Sequence, residues 1–145
     1  MIDPNLALVT WLAQSAALTA LVKNQQIGGK LPDSLIFCGM LPEGYKPEVN
    51  GCAITFACSG GNVPSEVPII SPRVQIECWA PQLRNQEARA VYGAVCDLIA
   101  NKNNIDLGAN GYILSSIVEV FGQDLTDPDT QWASVLGYFR LMLRN

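Results

Sequence analysis

The segment Arg73–Ala80 constrains the fold more strongly than any other part of the sequence. It reads R-V-Q-I-E-C-W-A, so a fully apolar position alternates with a mixed one over eight residues. Successive side chains of a β-strand point to opposite sides of a sheet, and this alternation is therefore typical of a half-buried strand. We expect one face of the strand to line a core and the other to present Arg73, Glu77 and Trp79.

Two segments carry the spacing of helices. Residues 85–101 place apolar side chains three and four positions apart, which predicts an amphipathic helix. Asp3 and Pro4 form a helix start, because the carboxylate can cap free N–H groups and proline at the first helical position loses no hydrogen bond. An apolar stripe follows, and Ser15 offers a break and a second cap before residues 16–22.

Further strands are predicted on both sides of the second helix. Residues 35–38 and 53–58 precede it, and residues 112–121 and 134–144 follow it as an antiparallel pair joined by residues 122–133. The order helix, strands, helix, strands predicts the α+β class. We expect residues 1–145 to form one domain, with a single mixed, mainly antiparallel sheet and two main helices packed on one face.

Composition excludes several classes of function. Apolar residues make up 49% of the 145 residues and charged residues only 15%, which is low for the surface of a monomer, so we expect an oligomer. The net charge of −4 argues against a protein that grips nucleic-acid phosphates. Histidine is absent, which removes the commonest general base and a principal zinc ligand. We therefore expect that the protein is not an enzyme.

Short motifs give no catalytic or cofactor site. Gly28, Gly29 and Lys30 lack the flanking residues of a phosphate loop, and the turn after Cys58 has no imidazole to activate a nucleophile. The five cysteines include no C-x-x-C pair, which favours free thiols in a reducing compartment. The uncharged residues 5–22 are interrupted by polar side chains and lack a basic flank, so we expect no membrane span.

Several carboxylates allow two interpretations. Asp124, Asp127 and Asp129 could hold a hard cation, but a solvated acidic turn is favoured because the calcium-loop spacing is absent. Glu77 and Glu119 could act as an acid–base pair, but ion pairing with Arg73 or Arg140 is the commoner use of such residues on strands. We expect no metal and no cofactor.

Residues 59–71 form a connection longer than a hairpin needs, and we interpret them as an arm. The tryptophans and tyrosines are better explained as core or interface anchors than as a platform for stacked bases, since no positive charge accompanies them. We expect this arm and the loop at residues 122–133 to make axial or intersubunit contacts. The candidate interface residues in these two segments and on the strands are Val63, Pro64, Glu66, Val67, Arg73, Glu77, Trp79, Asp124, Asp127, Asp129 and Arg140.

Three segments together resemble a known family. These are R-V-Q-I-E-C-W-A-P at residues 73–81, E-A-R-A-V-Y-G-A-V-C-D-L-I at residues 87–99 and V-L-G-Y-F-R-L-M-L-R at residues 135–144. With P-E-V-N-G-C-A-I-T-F at residues 47–56, they resemble the tail terminator, or tail-completion, proteins of long-tailed bacteriophages. The resemblance spans about residues 35–145 and consists of patterned strands and helices, without catalytic signatures.

The resemblance implies a mechanical function in the virion, with assembly in the bacterial host cytoplasm. It implies a ring, usually of six copies, that caps the tail tube, ends tube polymerisation and offers its other face to the head–tail connector or neck. DNA only passes through the lumen. Two other functions stay open: a head-completion or neck adaptor protein, and a cytosolic α+β module that binds a small ligand.

Overall fold

A computed structural model describes residues 3–60 and 69–144. Within this part of the chain, four α-helices and seven strands are present. The helices are α1 (Pro4–Ala13), α2 (Ala16–Leu21), α3 (Pro47–Asn50) and α4 (Asn85–Ile99), with a 3-10 turn at Gly108–Asn110. The strands are β1 (Ile36–Cys38), β2 (Ala53–Ser59), β3 (Ile69–Ile70), β4 (Arg73–Ala80), β5 (Lys102–Asp106), β6 (Tyr112–Thr126) and β7 (Ala133–Arg144).

All the strands belong to one sheet with the order β1-β2-β4-β7-β6-β5, and β3 pairs with the end of β7. The pair β1–β2 is parallel and every other pair in the described residues is antiparallel. The prediction of an α+β fold with a mixed, mainly antiparallel sheet is therefore confirmed.

The register of β4 explains the buried core. Cys78 lies between Ile54 of β2 and Val135 of β7, and all three side chains are fully buried. The alternate positions Val74, Ile76 and Ala80 are buried as well, so the predicted two-sided character of β4 is confirmed. Burial of these side chains removes the apolar surface of one face of β4 from water, and the side chains of its other face are exposed or half-buried.

The helices cover that buried face. Helix α4 packs on β4, β7 and β6, α1 packs on β1 and β2, and α2 contacts α4. The predicted caps are present, because the carboxylate of Asp3 accepts a hydrogen bond from the backbone N–H of Asn5, and Ser15 Oγ accepts one from that of Leu18. Within residues 3–60 and 69–144, no helix has the length and apolar character needed to cross a bilayer.

The last hairpin differs from the prediction. Strand β6 continues to Thr126, so residues 123–126 are paired with β7 and only residues 127–132 form the turn. The register of the pair shifts at three places: between Ile113 and Ser115, between Val118 and Val120, and between Val120 and Gln123. Each bulge reverses which residues face the core, and the simple alternation that marks a strand in the sequence is lost there.

Strand β5 was not predicted at all. Its residues K-N-N-I-D are nearly all exposed and show no apolar alternation, because β5 lies at the edge of the sheet. It is a strand only because it pairs with the start of β6. The two-residue strand β3 and the one-turn helix α3 were also missed, because segments this short show no periodicity in the sequence.

Candidate interaction surface

The face of the sheet opposite α4 presents the mixed positions of β4 and β7 to solvent, and we call it the outer face. Arg73, Gln75 and Met142 are exposed on it, and Glu77 and Tyr138 are partly buried. Exposed apolar side chains lie beside these polar ones, including Ile117 with 49% of its surface accessible. Such a face is able to bind another protein surface.

Three charged side chains form a cluster on the outer face. Glu119 accepts from Arg140 Nε at 2.6 Å, and its other oxygen lies 2.9 Å from Arg73 Nε. The hydrogen bond from Arg140, with the nearby charge of Arg73, lowers the pKa of Glu119. The guanidinium of Arg73 also stacks on the Tyr138 ring, 4.3 Å from its centroid. The predicted ion pairing across the sheet is thus confirmed for Glu119, inside one chain.

Glu77 has a different environment. Its carboxylate accepts a hydrogen bond from Ser134 Oγ at 2.7 Å, and no Lys or Arg of the described residues pairs with it. Burial raises the pKa of Glu77, and this effect exceeds the opposing effect of the Ser134 hydrogen bond. The predicted ion pair of Glu77 with Arg73 or Arg140 is wrong, because both arginines bind Glu119. Glu77 therefore holds an uncompensated charge in a partly desolvated position.

A groove of about 310 Å³ opens above Glu77 on the outer face. Its principal lining residues are Met40, Leu41, Thr55, Gln75, Glu77 and Trp79. Met40, one of these lining residues, is 78% exposed. The groove therefore combines apolar walls with a carboxylate, and we call it the Glu77 groove.

Trp79 anchors an aromatic cluster at one end of this groove. Its indole N–H donates to Thr55 Oγ1 at 3.0 Å, and its ring meets Trp132 edge to face at 6.5 Å. Trp132 also packs edge to face on Tyr45, which packs on Phe37. The cluster joins the β6–β7 turn to the segment before α3. The predicted anchoring by Trp79 and Trp132 is confirmed within the chain, and the role of Trp79 as an interface residue stays a prediction.

The three aspartates of the last hairpin do not converge on one point. Asp124 lies on β6 and pairs with Arg89 of α4 at 2.9 Å. Asp127 accepts from the backbone N–H and the hydroxyl of Thr130, which lowers its pKa and closes the turn. Asp129 is exposed. In the part of the chain that the structure describes, no group of three or more acidic or cysteine side chains could hold a metal ion.

The predicted arm lies mostly outside the described residues. Val63, Pro64, Glu66 and Val67 all belong to residues 61–68, so their predicted role as interface residues stays a prediction.

The turn after Cys58 and the segment Gly28-Gly29-Lys30 have structural roles. All five cysteines are free thiols, and burial raises the pKa of Cys58 to about 12 and of Cys52 to about 11, which keeps both sulfurs protonated and unreactive. Gly28, with φ of 79°, lies at the tip of a loop over residues 25–32. This loop carries Ile27, whose side chain is 100% exposed.

Sequence reasoning missed the groove and the loop. Met40 lies in a segment rich in glycine and proline, where no periodicity indicates which side chains face which neighbour. A signal for Ile27 was present, because an isoleucine beside two glycines in a polar loop has no obvious core to enter.

No protein-family model matches the sequence, and no curated protein matches it either. The fold is similar to that of a chain in a solved structure described as the virion of the native gene transfer agent (GTA) particle. The similarity has a TM-score of 0.63 and covers 94% of this chain and 91% of that chain, at 13% sequence identity. At this identity, the likeness shows a shared fold over nearly the whole length of both chains.

Proposed function

We propose that the protein is a structural virion protein that forms a ring at the end of a phage-like tail tube. The ring ends tube polymerisation and offers its other face to the head–tail connector or neck. The observation that carries this proposal is the similarity of the fold to that of a GTA virion chain, which extends over 94% of this chain. The resemblance of the β4, α4 and β7 segments to tail terminators supports the finer assignment.

The surface of the protein supports assembly with copies of itself. A closed ring needs two unlike side surfaces on each subunit, because each copy contacts its neighbours head to tail. The outer face offers one surface, with exposed Ile117 and Met142 beside its charged cluster. Other exposed apolar side chains, Ile27 and Leu21, belong to segments before β1. The low content of charged residues, 15%, fits burial of such surfaces between subunits.

The proposed partners are the protein itself, in a ring of six, the tail tube protein and a connector or neck protein. DNA passes through the lumen without being gripped, since the net charge of −4 repels phosphates. In this proposal the protein has no catalytic site, is assembled in the bacterial host cytoplasm and resides at the tail–neck junction of the virion.

Light scattering over a concentration series, followed by electron microscopy, tests the ring. We expect annular particles whose mass is an integral multiple of 15.7 kDa, with six as the expected multiple. Added to polymerising tail tube protein, the rings should cap the tubes and stop their growth. A protein that remains monomeric at millimolar concentration, alone and with tube protein, contradicts the proposal.

The same preparations separate the alternatives. Rings that bind a connector protein but leave tube growth unchanged would indicate a head-completion or neck adaptor protein. A dimer whose melting temperature rises with one metabolite in a ligand screen would indicate a small-ligand-binding module.

A further inference from the structure

Hydrogen bonds hold the base of the loop at residues 25–32, and its tip projects into solvent. The backbone N–H of Asn24 donates to Asp33 O at 2.7 Å, and Lys23 and Ser34 form an antiparallel bridge. Asn50, which is 1% exposed, donates through Nδ2 to Asn24 Oδ1 at 3.0 Å and to Gln26 Oε1 at 3.1 Å. A buried amide thus braces the base of the loop.

The tip of this braced loop presents an apolar and a basic side chain together. Ile27 is 100% exposed and Lys30 is exposed. No carboxylate of the described residues pairs with Lys30. Holding an isoleucine fully in water on an ordered loop has an unfavourable solvation free energy, which burial against a partner would recover. Preorganisation of the loop lowers the entropy lost when it binds.

The Glu77 groove has the complementary chemistry. The side chains of Met40 and Trp79 line it, and the Glu77 carboxylate has a hydrogen bond from Ser134 but no Lys or Arg partner among the described residues. The stem of a lysine can lie along apolar walls while its ammonium group reaches a carboxylate. A cation entering the groove would also lie near the indole ring of Trp79, which favours positive charge over its face.

We propose that, in the ring, the loop at residues 25–32 of one copy inserts Ile27 and Lys30 into the Glu77 groove of the next copy. The occupant is a second copy because one chain carries both complementary surfaces, as a closed head-to-tail ring requires. Ile27 packs against Met40 and Trp79, and Lys30 pairs with Glu77. This inference rests on the proposed ring and names the contact that closes it.

Charge reversal tests the contact. Lys30→Glu places a carboxylate opposite Glu77, and Glu77→Lys places two ammonium groups together, so each variant should raise the dissociation constant of the ring by about tenfold or more. The chain carrying both substitutions should assemble again, since its loop is acidic and its groove basic. Lys102→Glu is the matched control, because Lys102 is also exposed but lies on β5, and it should assemble like the wild type.

Mixing gives a second and stricter test. Equal amounts of the Lys30→Glu and Glu77→Lys proteins should form rings in which the two variants alternate, because every loop then meets a groove of opposite charge. Light scattering of the mixture and of each variant alone measures this. Ile27→Asp, on the exposed loop, should weaken assembly without lowering the melting temperature, which keeps the test valid where Glu77→Lys disturbs folding.

The outcomes separate this inference from the proposed function. If the Lys30→Glu and Ile27→Asp proteins form rings as readily as the wild type, the proposed contact is wrong and the proposed ring is unaffected. Failure of the mixture and of the doubly substituted chain to assemble, with all variants folded, would also overturn it. A wild-type protein that never forms rings contradicts the proposed function and the contact together.

Discussion

Tyr92 shows how single residues fix the packing of α4 on the sheet. A Cβ atom added at Gly137 would collide with the Tyr92 hydroxyl, and one added at Gly122 would lie 2.6 Å from Val135 Cγ1 and 2.7 Å from the Tyr92 ring. The tyrosine therefore occupies a notch between two glycines on adjacent strands, against Phe139 at a centroid distance of 6.2 Å. Glycine is needed here for close approach.

We expect Gly137→Ala to lower the free energy of unfolding by about 1–3 kcal/mol, because the added methyl group overpacks the core. Tyr92→Phe removes the colliding hydroxyl, so combining it with Gly137→Ala should recover part of the loss. Gly93→Ala is the matched control: Gly93 lies in α4 with nothing within 4 Å of its Cβ position, and alanine should raise stability by about 1 kcal/mol. Urea denaturation measures the free energy of unfolding of these three variants and of the wild type. A loss in the doubly substituted chain equal to that of Gly137→Ala alone would argue against the notch.

The two carboxylates of the outer face should give opposite pH dependence. The pKa of Glu77 is raised, so the native state binds this proton more tightly than the unfolded state. The contribution of Glu77 to stability therefore falls as pH rises from the ordinary carboxyl pKa to the raised pKa. The lowered pKa of Glu119 means that its contribution is present above the ordinary carboxyl value and is lost as pH falls.

Glu77→Gln should therefore raise the melting temperature of the isolated subunit at neutral pH, and the gain should disappear in acid. Glu119→Gln should lower the melting temperature at neutral pH, with the difference also vanishing in acid. Thermal unfolding from about pH 3 to about pH 8 checks both. The same Glu77→Gln change should weaken ring assembly, and a residue with only a structural role would not produce these opposite effects. A lower melting temperature for Glu77→Gln at neutral pH would contradict this account.

At the scale of elements, Asn50 joins α3 to the projecting loop. Its side-chain Oδ1 accepts from the backbone N–H of Lys46, and its Nδ2 group makes the two bonds to Asn24 and Gln26. Replacing Asn50 with an apolar residue removes all three of these hydrogen bonds, and each such bond contributes to stability.

Asn50→Ala should lower stability by about 1–3 kcal/mol and speed hydrogen exchange at the backbone N–H of Asn24, which is hydrogen-bonded to Asp33. Gln26→Ala removes one of the bonds and should have a smaller effect. Equal exchange rates in Asn50→Ala and wild-type protein would show that Asn50 does not brace the loop.

For the whole molecule, the segment at residues 63–68 stays a predicted contact with the tube or with a neighbouring subunit. It lies between Ser59 and Arg73, which are register partners on β2 and β4, so the pairing of these two strands does not require it. Deleting these six residues should leave the melting temperature nearly unchanged and impair ring formation or tube capping. Unchanged capping by the deleted protein would remove the segment from the assembly.

The sequence by itself determined the core strands, the main helices and the class of the fold. Strand β4 and helix α4 are long periodic segments, and burial on one side imposes that periodicity on the choice of residues. The caps at Asp3 and Ser15 were predicted because a hydrogen bond between neighbours in sequence needs no tertiary information.

Only the tertiary structure decided the extent of the last hairpin, the edge strand β5 and the groove. Bulges in β6 break its alternation, and β5 is ordered by its neighbour instead of by its own side chains. The different environments of Glu77 and Glu119 depend on which strand lies beside each carboxylate. The Glu77 groove likewise brings together Met40 and Trp79 as lining residues, although they are far apart in sequence. Contacts of this kind arise from the path of the chain, which local spacing does not encode.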